Sequence, residues 1–254
     1  MSLKRILVIL LHLLIFNTFL NAQISFIQEQ LTIPRVEQIF RSKEDTLKKQ
    51  FAKTKLSFPP KQIYLRSFKY DSELEVWVRN SNTDSFKLFK TYKVCALSGS
   101  LGPKRVEGDF QVPEGFYHVN IFNPRSVYHL SLGINYPNAS DELLSDSLKP
   151  GGDIYVHGGC VTVGCIPIKD NQIEEVYLLA SYAKENGQDF IPIHIFPVRY
   201  NVTKSFHYLA LSCQENKEYQ KFAVTLQQVF EYFNHNKKIP VIGVDEKGEY
   251  IVFK

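Results

Sequence analysis

The chain has 254 residues, 44% of them hydrophobic and 22% charged, with a formal net charge of +4. That is room for one domain of ordinary to large size around a real core, and it excludes wholesale disorder. No basic stripe interleaved with aromatics stands out, which excludes nucleic acid as a partner, and there is no internal repeat.

Residues 1–22 read as an export signal. Lys4 and Arg5 precede a mostly apolar run from Ile6 to Leu20, and Leu20-Asn21-Ala22 offers a small residue for cleavage. The run would span roughly 22 Å as a helix, short of the roughly 30 Å of a bilayer core. No later run is long and apolar enough to span, so no membrane span is expected once the signal is removed. Removal takes two basic residues and no acid, leaving a charge of +2.

Residues 23–60 form a lead-in: a loose leader over 23–33, then an amphipathic helix over 34–56. Pro34 suits a first helical turn, Val36, Ile39, Phe40, Leu47 and Phe51 recur at helical spacing, and Pro59-Pro60 ends it. Residues 61–198 form a β-rich body. "QIYLRSFKY", "LEVWVRN", "FKLFKTYKVCAL", "GFYHVNIF", "VYHLSLGI", "DIYVHG" and "FIPIHIFPV" read as strands, in an antiparallel sheet or sandwich. Leu74, Val76 and Val78 alternate with polar or edge residues, as in a half-buried strand. Asp170 reads as the N-cap of a helix that buries Ile173, Val176, Tyr177, Ala180 and Ala183 and stops at Gly187. Residues 199–254 form an extension, with a helix over 218–233 and a hairpin turned by "DEKG". The fold class is mixed α+β, β-rich, with flanking helices.

The chemistry gathers in "DIYVHGGCVTVGCIPIKD", residues 153–170, where a strand end meets the helix at Asp170. His157, Cys160 and Cys165 sit within nine residues. Four readings compete. The three side chains have the spacing of a partial metal site, but no second C-x-x-C pair completes it, and no metal is expected. Cys160 and Cys165 could pair with each other, which would silence the site. Both could be small buried hydrophobes. The fourth reading is a thiol enzyme, in which a nearby imidazole activates a nucleophile and a glycine-rich turn aims backbone N–H groups at an oxyanion. The four cysteines, Cys95, Cys160, Cys165 and Cys213, permit three full pairings that sequence does not choose among; Cys95 with Cys160 or with Cys213 is among them.

His157-Gly158, followed by Thr162-Val163-Gly164-Cys165-Ile166, resembles a shortened form of the L,D-transpeptidase (YkuD) signature. "SGSLGPKRVEGDFQVPEGFYHV" (98–119), "YHLSLGINYPNASDE" (128–142) and the closing helix and hairpin resemble the YafK-like branch in particular, so the resemblance covers about 61–254. It implies a YkuD-like β-sandwich catalytic domain over 61–198, no cofactor, and an exported enzyme of cell-wall biogenesis and cell shape. It also implies a substrate, the peptide stem of peptidoglycan. Cys165 would be the nucleophile and form a thioester, His157 the general acid and base, and Gly164 with Cys165 the backbone oxyanion donors. The acyl acceptor would be a second stem or the lysine of an envelope lipoprotein; water as acceptor would make the protein a hydrolase, and a silent site would make it an envelope-binding module.

Two positions depart from the pattern. Val163 stands where the motif often has a histidine, which leaves His157 as the nearby imidazole. Pro167 stands where many members have arginine, so the stem's acid groups need another partner. Arg125, Arg199 and Lys104 are the candidates, and Tyr128 and Tyr136 are candidates to line a groove. His118 and His129 read as polar strand positions, Asp153 as a weak candidate to orient His157, and Cys160 as packing rather than a redox partner of Cys165.

Overall fold

The computed structural model describes residues 24–145 and 149–253. The expected signal over 1–22 lies outside the described residues. Among the described residues, no helix is long and apolar enough to cross a membrane.

The chain enters through α1 (Phe26–Leu31), where a loose leader is expected. The reason is a local capping box: Gln28 N–H donates to Ser25 Oγ at 3.2 Å and Ser25 N–H to Gln28 Oε1 at 3.1 Å. The amphipathic helix α2 (Pro34–Lys53) follows, with Val36, Ile39, Phe40, Leu47 and Phe51 buried.

Eight strands form one curled sheet: β1 (Gln62–Phe68), β2 (Glu73–Arg79), β3 (Lys87–Lys93), β4 (Gly115–Asn123), β5 (Ser131–Ile134), β6 (Tyr155–His157), β7 (Ile166–Pro167) and β8 (Ile191–Phe196), in the order β3-β2-β1-β8-β4-β5-β6-β7. β1 runs parallel to β8 and β6 parallel to β7; the other neighbours are antiparallel. Past β3, Cys95 N–H donates to Pro167 O in β7 at 3.0 Å, so the two ends of the strand order meet. The remaining elements are α3 (Ala139–Leu144), α4 (Asp170–Glu185), α5 (Thr203–Ser212), α6 (Lys217–Asn236) and a separate hairpin of β9 (Val241–Val244) and β10 (Tyr250–Phe253).

Strand alternation gives the sheet two buried faces. Ile63, Leu65, Leu74, Val76, Ile193 and Ile195 pack with α2 and α4 in the main core. The residues between them point the other way: Phe68 and Phe196 meet Leu226 and Phe230 of α6, while Tyr64 and Trp77 meet Phe233. β2 is therefore buried from Leu74 to Val78, against the half-buried strand that its alternation suggests. The second layer is α6, and it covers the polar positions of β2 as well. Glu75, 3% exposed, is satisfied there by Arg66, Trp77 and Arg199.

Candidate active site

β6 and β7 place the chemistry. They are parallel, with Val156 opposite Ile166 and His157 opposite Pro167. Extending that register by one residue sets Cys165 opposite Tyr155. Since side chains alternate along a strand, Cys165, Tyr155 and His157 share one face, with the thiol one diagonal step from the imidazole. The register follows from sequence: "YVH" is a short β-prone run, and the residues from Gly158 to Gly164 make the return.

Two glycines make that return fit. A Cβ on Gly158 would stand 2.6 Å from Asp170 Oδ1 and 2.7 Å from Tyr128 O. Gly164 holds φ at +144°, and a Cβ there would meet Gln111 O at 3.1 Å. Gln111 itself is presented by a pinned loop. Lys69 Nζ donates to Gly102 O and Val112 O at 2.9 and 2.8 Å, and pairs with Glu114 at 3.0 Å. Asp170 is the first helical residue rather than the cap, and its Oδ1 accepts Gly159 N–H at 2.8 Å, tying the His-Gly-Gly turn to α4.

His157 is 2% exposed, and the ring of Tyr128 stacks on it with centroids 4.6 Å apart. His157 Nδ1 lies 2.5 Å from Gly158 O, a carbonyl that only accepts, so Nδ1 carries the hydrogen and Nε2 keeps its lone pair. Burial lowers the imidazole's pKa, partly opposed by the bond to Gly158, and favours the neutral ring. A backbone carbonyl thus does the orienting for which Asp153 is a candidate.

Cys165 is a free thiol of intermediate exposure, and its S–H donates to Asp153 O at 3.6 Å. Burial raises its pKa, the backbone of Tyr155 lowers it, and the charge of Asp153 raises it again. The shifts on His157 and Cys165 both favour the neutral form of their group. Thr162 Oγ1 donates to Cys165 O at 2.8 Å and accepts Gly164 N–H at 3.0 Å. Gly164 N–H, expected as an oxyanion donor, is therefore spent inside the turn, whereas Cys165 N–H has no partner among the described residues.

Cys160 is bonded to Cys95, with Cα atoms 5.4 Å apart. This removes Cys160 from the conceivable ligand set with His157 and Cys165, and leaves it neither mere packing nor a partner of Cys165. The bridge fastens the turn between His157 and Cys165 to the chain just past β3. Cys213 is buried elsewhere.

The candidate binding residues divide. Tyr128, 44% exposed, walls the imidazole, and Arg125 lines an open cleft of about 660 Å³ that neither Tyr128, His157 nor Cys165 lines. Arg35, Ser126, His129 and Asp170 line the same cleft. Arg35 comes from α2, where its spacing signals only a solvated helix face; it donates to His129 O at 2.7 Å. Tyr136 is not a groove residue: it is buried in the main core, and its hydroxyl donates to Pro150 O at 3.0 Å. Arg199 is elsewhere too, paired with Glu73 and, at 2.7 Å, with Glu75 on the α6 face. Lys104 is buried against Asp109 at 2.5 Å. His118 packs edge-on to Phe190, and His129 pairs with Glu174 at 2.9 Å.

A thiol and an imidazole on one face of the parallel β6–β7 pair, closed by a glycine turn, make an arrangement suited to cysteine acyl transfer. Residues 72–195 match the YkuD L,D-transpeptidase catalytic domain. A protein of Escherichia coli (strain K12) named YafK, and classed by that name with the L,D-transpeptidases, is 30% identical over 194 residues, 76% of this chain and 74% of its own. The chain belongs to the L,D-transpeptidase (YkuD) family. Among solved structures it is similar to the helical cell shape determining protein Pgp2 of Campylobacter jejuni, at 18% identity and a TM-score of 0.42 over 73% of each chain. It is also similar to Bdellovibrio bacteriovorus Bd1075, at 19% identity and a TM-score of 0.39 over 75% of this chain and 79% of that one.

Proposed function

We propose that the protein is an exported cysteine L,D-transpeptidase that acts on the peptide stems of peptidoglycan, in the periplasm or cell envelope, in cell-wall biogenesis and the maintenance of cell shape. The observation that carries this reading is the shared face of Cys165, Tyr155 and His157 across the β6–β7 ladder, in a chain of this family.

In the first half-reaction the Cys165 thiol gives its proton to His157 Nε2 as sulfur attacks the stem carbonyl. The free Cys165 N–H faces the developing oxyanion; such a donor is worth about 3 kcal/mol. His157 then protonates the leaving amine, and a thioester remains on Cys165. In the second half it takes a proton from the acceptor, which is a second stem or the lysine of an envelope lipoprotein. Tyr128 holds the imidazole flat against the turn. The cleft holding Arg125 and Arg35 offers the stem's carboxylates the charge that Pro167 does not supply at the turn itself.

The test is mass spectrometry of a tetrapeptide-stem muropeptide incubated with the mature chain and with Cys165→Ala, with a free D-amino acid and a lipoprotein-linked stem as further reactants. An acyl adduct on Cys165 followed by exchange or dimer formation supports the reading. Adduct turnover to water alone makes the protein a hydrolase on the same scaffold. Equal activity in Cys165→Ala, or no adduct with any stem, overturns it.

A further inference from the structure

Asp153 is unfavourable for the nucleophile it adjoins. Its carbonyl accepts the Cys165 S–H at 3.6 Å, and its carboxylate is bound by Tyr155, the residue that the β6–β7 register sets opposite Cys165. That side chain is exposed. Tyr155 OH donates to Oδ1 at 3.3 Å, and Oδ2 has neither a hydrogen bond nor a cation among the described residues. A carboxylate here opposes formation of the thiolate, because like charges repel. His157 does not need it, since its Nδ1–H is already held by Gly158 O. Nor does the turn, whose internal bonds run through Thr162 and Asp170.

What hinders the thiol suits the other reactant. Once the thioester has formed, sulfur carries no charge and the repulsion is gone, while the exposed carboxylate keeps its charge beside it. On the proposed reading of the site, on which this inference rests, that nucleophile is an alkyl amine, present at neutral pH as an ammonium ion.

We infer that Asp153 is the specificity residue for a primary ammonium group on the amine side of the amide bond made or broken at Cys165. The ammonium pairs with the carboxylate and loses one proton to solvent by way of His157 Nε2. The amine lone pair forms the C–N bond while the carbonyl π pair moves to oxygen. A second N–H proton passes to His157 Nε2. Collapse restores C=O and breaks C–S, and the departing Cys165 thiolate takes that proton. Run backwards, the same subsite holds the amine that leaves, so the assignment does not depend on which direction dominates.

The experiment uses Asp153→Asn, which keeps an acceptor for Tyr155 OH and removes only the charge. Acyl-enzyme is formed from a tetrapeptide stem and released with Nα-acetyl-lysine amide, a cationic amine, or with hydroxylamine, which is neutral at pH 7. The rate with the lysine amide is expected to fall tenfold or more in Asp153→Asn and the rate with hydroxylamine to stay within twofold. Added salt should erode the wild-type advantage alone. Equal loss with both nucleophiles, or no loss, overturns the inference. Should no stem acylate Cys165, the proposed function fails and the subsite is still read another way. Nα-acetyl-lysine amide should slow iodoacetamide alkylation of Cys165 in the wild type and not in Asp153→Asn, and uncharged Nα-acetyl-norleucine amide should slow it in neither. Equal protection by both amides, or by neither, sinks the assignment.

Discussion

Among the described residues, two buried histidines stand in opposite kinds of surroundings. His194, in β8, lies 2.8 Å from Tyr64 OH between rings of the α6 face, and burial followed by the charge of Arg66 pushes its pKa down to about 3. Around it every strong group is paired. Arg66 bonds Glu75 and Asn234, Glu75 also takes Trp77 Nε1 and Arg199, and the guanidinium of Arg66 lies 4.7 Å from the ring centroid of Phe233. His157, at the end of β6, is as buried but, among the described residues, has no partner on Nε2, and the same turn holds a free thiol, a spare N–H and an unpaired carboxylate oxygen. Burial with every valence filled makes a support; burial with chosen valences left open makes a site. Three perturbations bear on that contrast.

The largest is Arg66→Met. It leaves Glu75 ionised and buried with Arg199 and Trp77 as remaining partners. Breaking a buried pair costs about 3–5 kcal/mol, and the loss of the Asn234 bond and of the cation–π contact with Phe233 puts the expectation near the upper figure. Chemical denaturation should show that loss, while alkylation of Cys165 in the folded fraction keeps its wild-type rate. A changed thiol rate at unchanged stability would mean that the two regions are not separate.

The second is the double variant Cys95→Ser, Cys160→Ser. The bridge spans 65 residues of sequence. Chain entropy assigns such a closure about 4 kcal/mol, and measured losses are about 2–5 kcal/mol for small domains. Unlike Arg66→Met, this change should also reach the site, because Cys160 lies on the turn between His157 and Cys165. Turnover should fall at temperatures where the variant is still folded. Full turnover in the folded variant would show that the turn is held by Thr162, Asp170 and the glycines alone.

Much of this contrast was legible in the residues, and the rest was hidden for physical reasons. Glycines around a histidine and a cysteine point to a turn that carries chemistry, since only glycine fits beside Asp170 and against Gln111. Helix α2 and the closing hairpin follow from periodicity and turn residues. Arg199 was misleading because a guanidinium reads the same in sequence whether it meets a ligand or, as here, a buried Glu75. Tyr136 was misleading for the same reason: the carbonyl that takes its hydroxyl is set by the path of the chain. Arg35 carries no signal in sequence because it reaches the cleft from an element outside the β-rich body. The pairing of Cys95 with Cys160 depends on the sheet curling until β3 meets β7, which no local pattern encodes.

The smallest effect is mild acid, about 2 kcal/mol from His194 between pH 7 and pH 5, and it separates the regions by where each begins to titrate. A histidine whose folded pKa is lowered favours the neutral form in the native state. Stability is then whole above the unfolded pKa and declines as pH falls below it, until the folded pKa is reached. For His194 that window runs from about 6.5 in the unfolded chain down to about 3. Each pH unit inside it costs about 1.4 kcal/mol. His157 adds a loss of the same sign over a window fixed by its own lowered pKa. Glu75 enters later. Burial works against its ionisation, but Arg66, Trp77 and Arg199 outweigh that and hold its carboxyl below the ordinary range. Its stabilisation is therefore present above the unfolded pKa of about 4.3 and lost only below it. Catalysis follows the edge alone: kcat/KM should hold until His157 gains a proton, below the ordinary imidazole range, and should fall on the alkaline side only above the ordinary thiol range. Urea unfolding and kcat/KM measured together from pH 7 to pH 5 should show stability declining before the rate does. Stability that stays flat over that interval would mean that His194 is protonated inside the fold, and the paired region would then hold a charge that no neighbouring carboxylate answers.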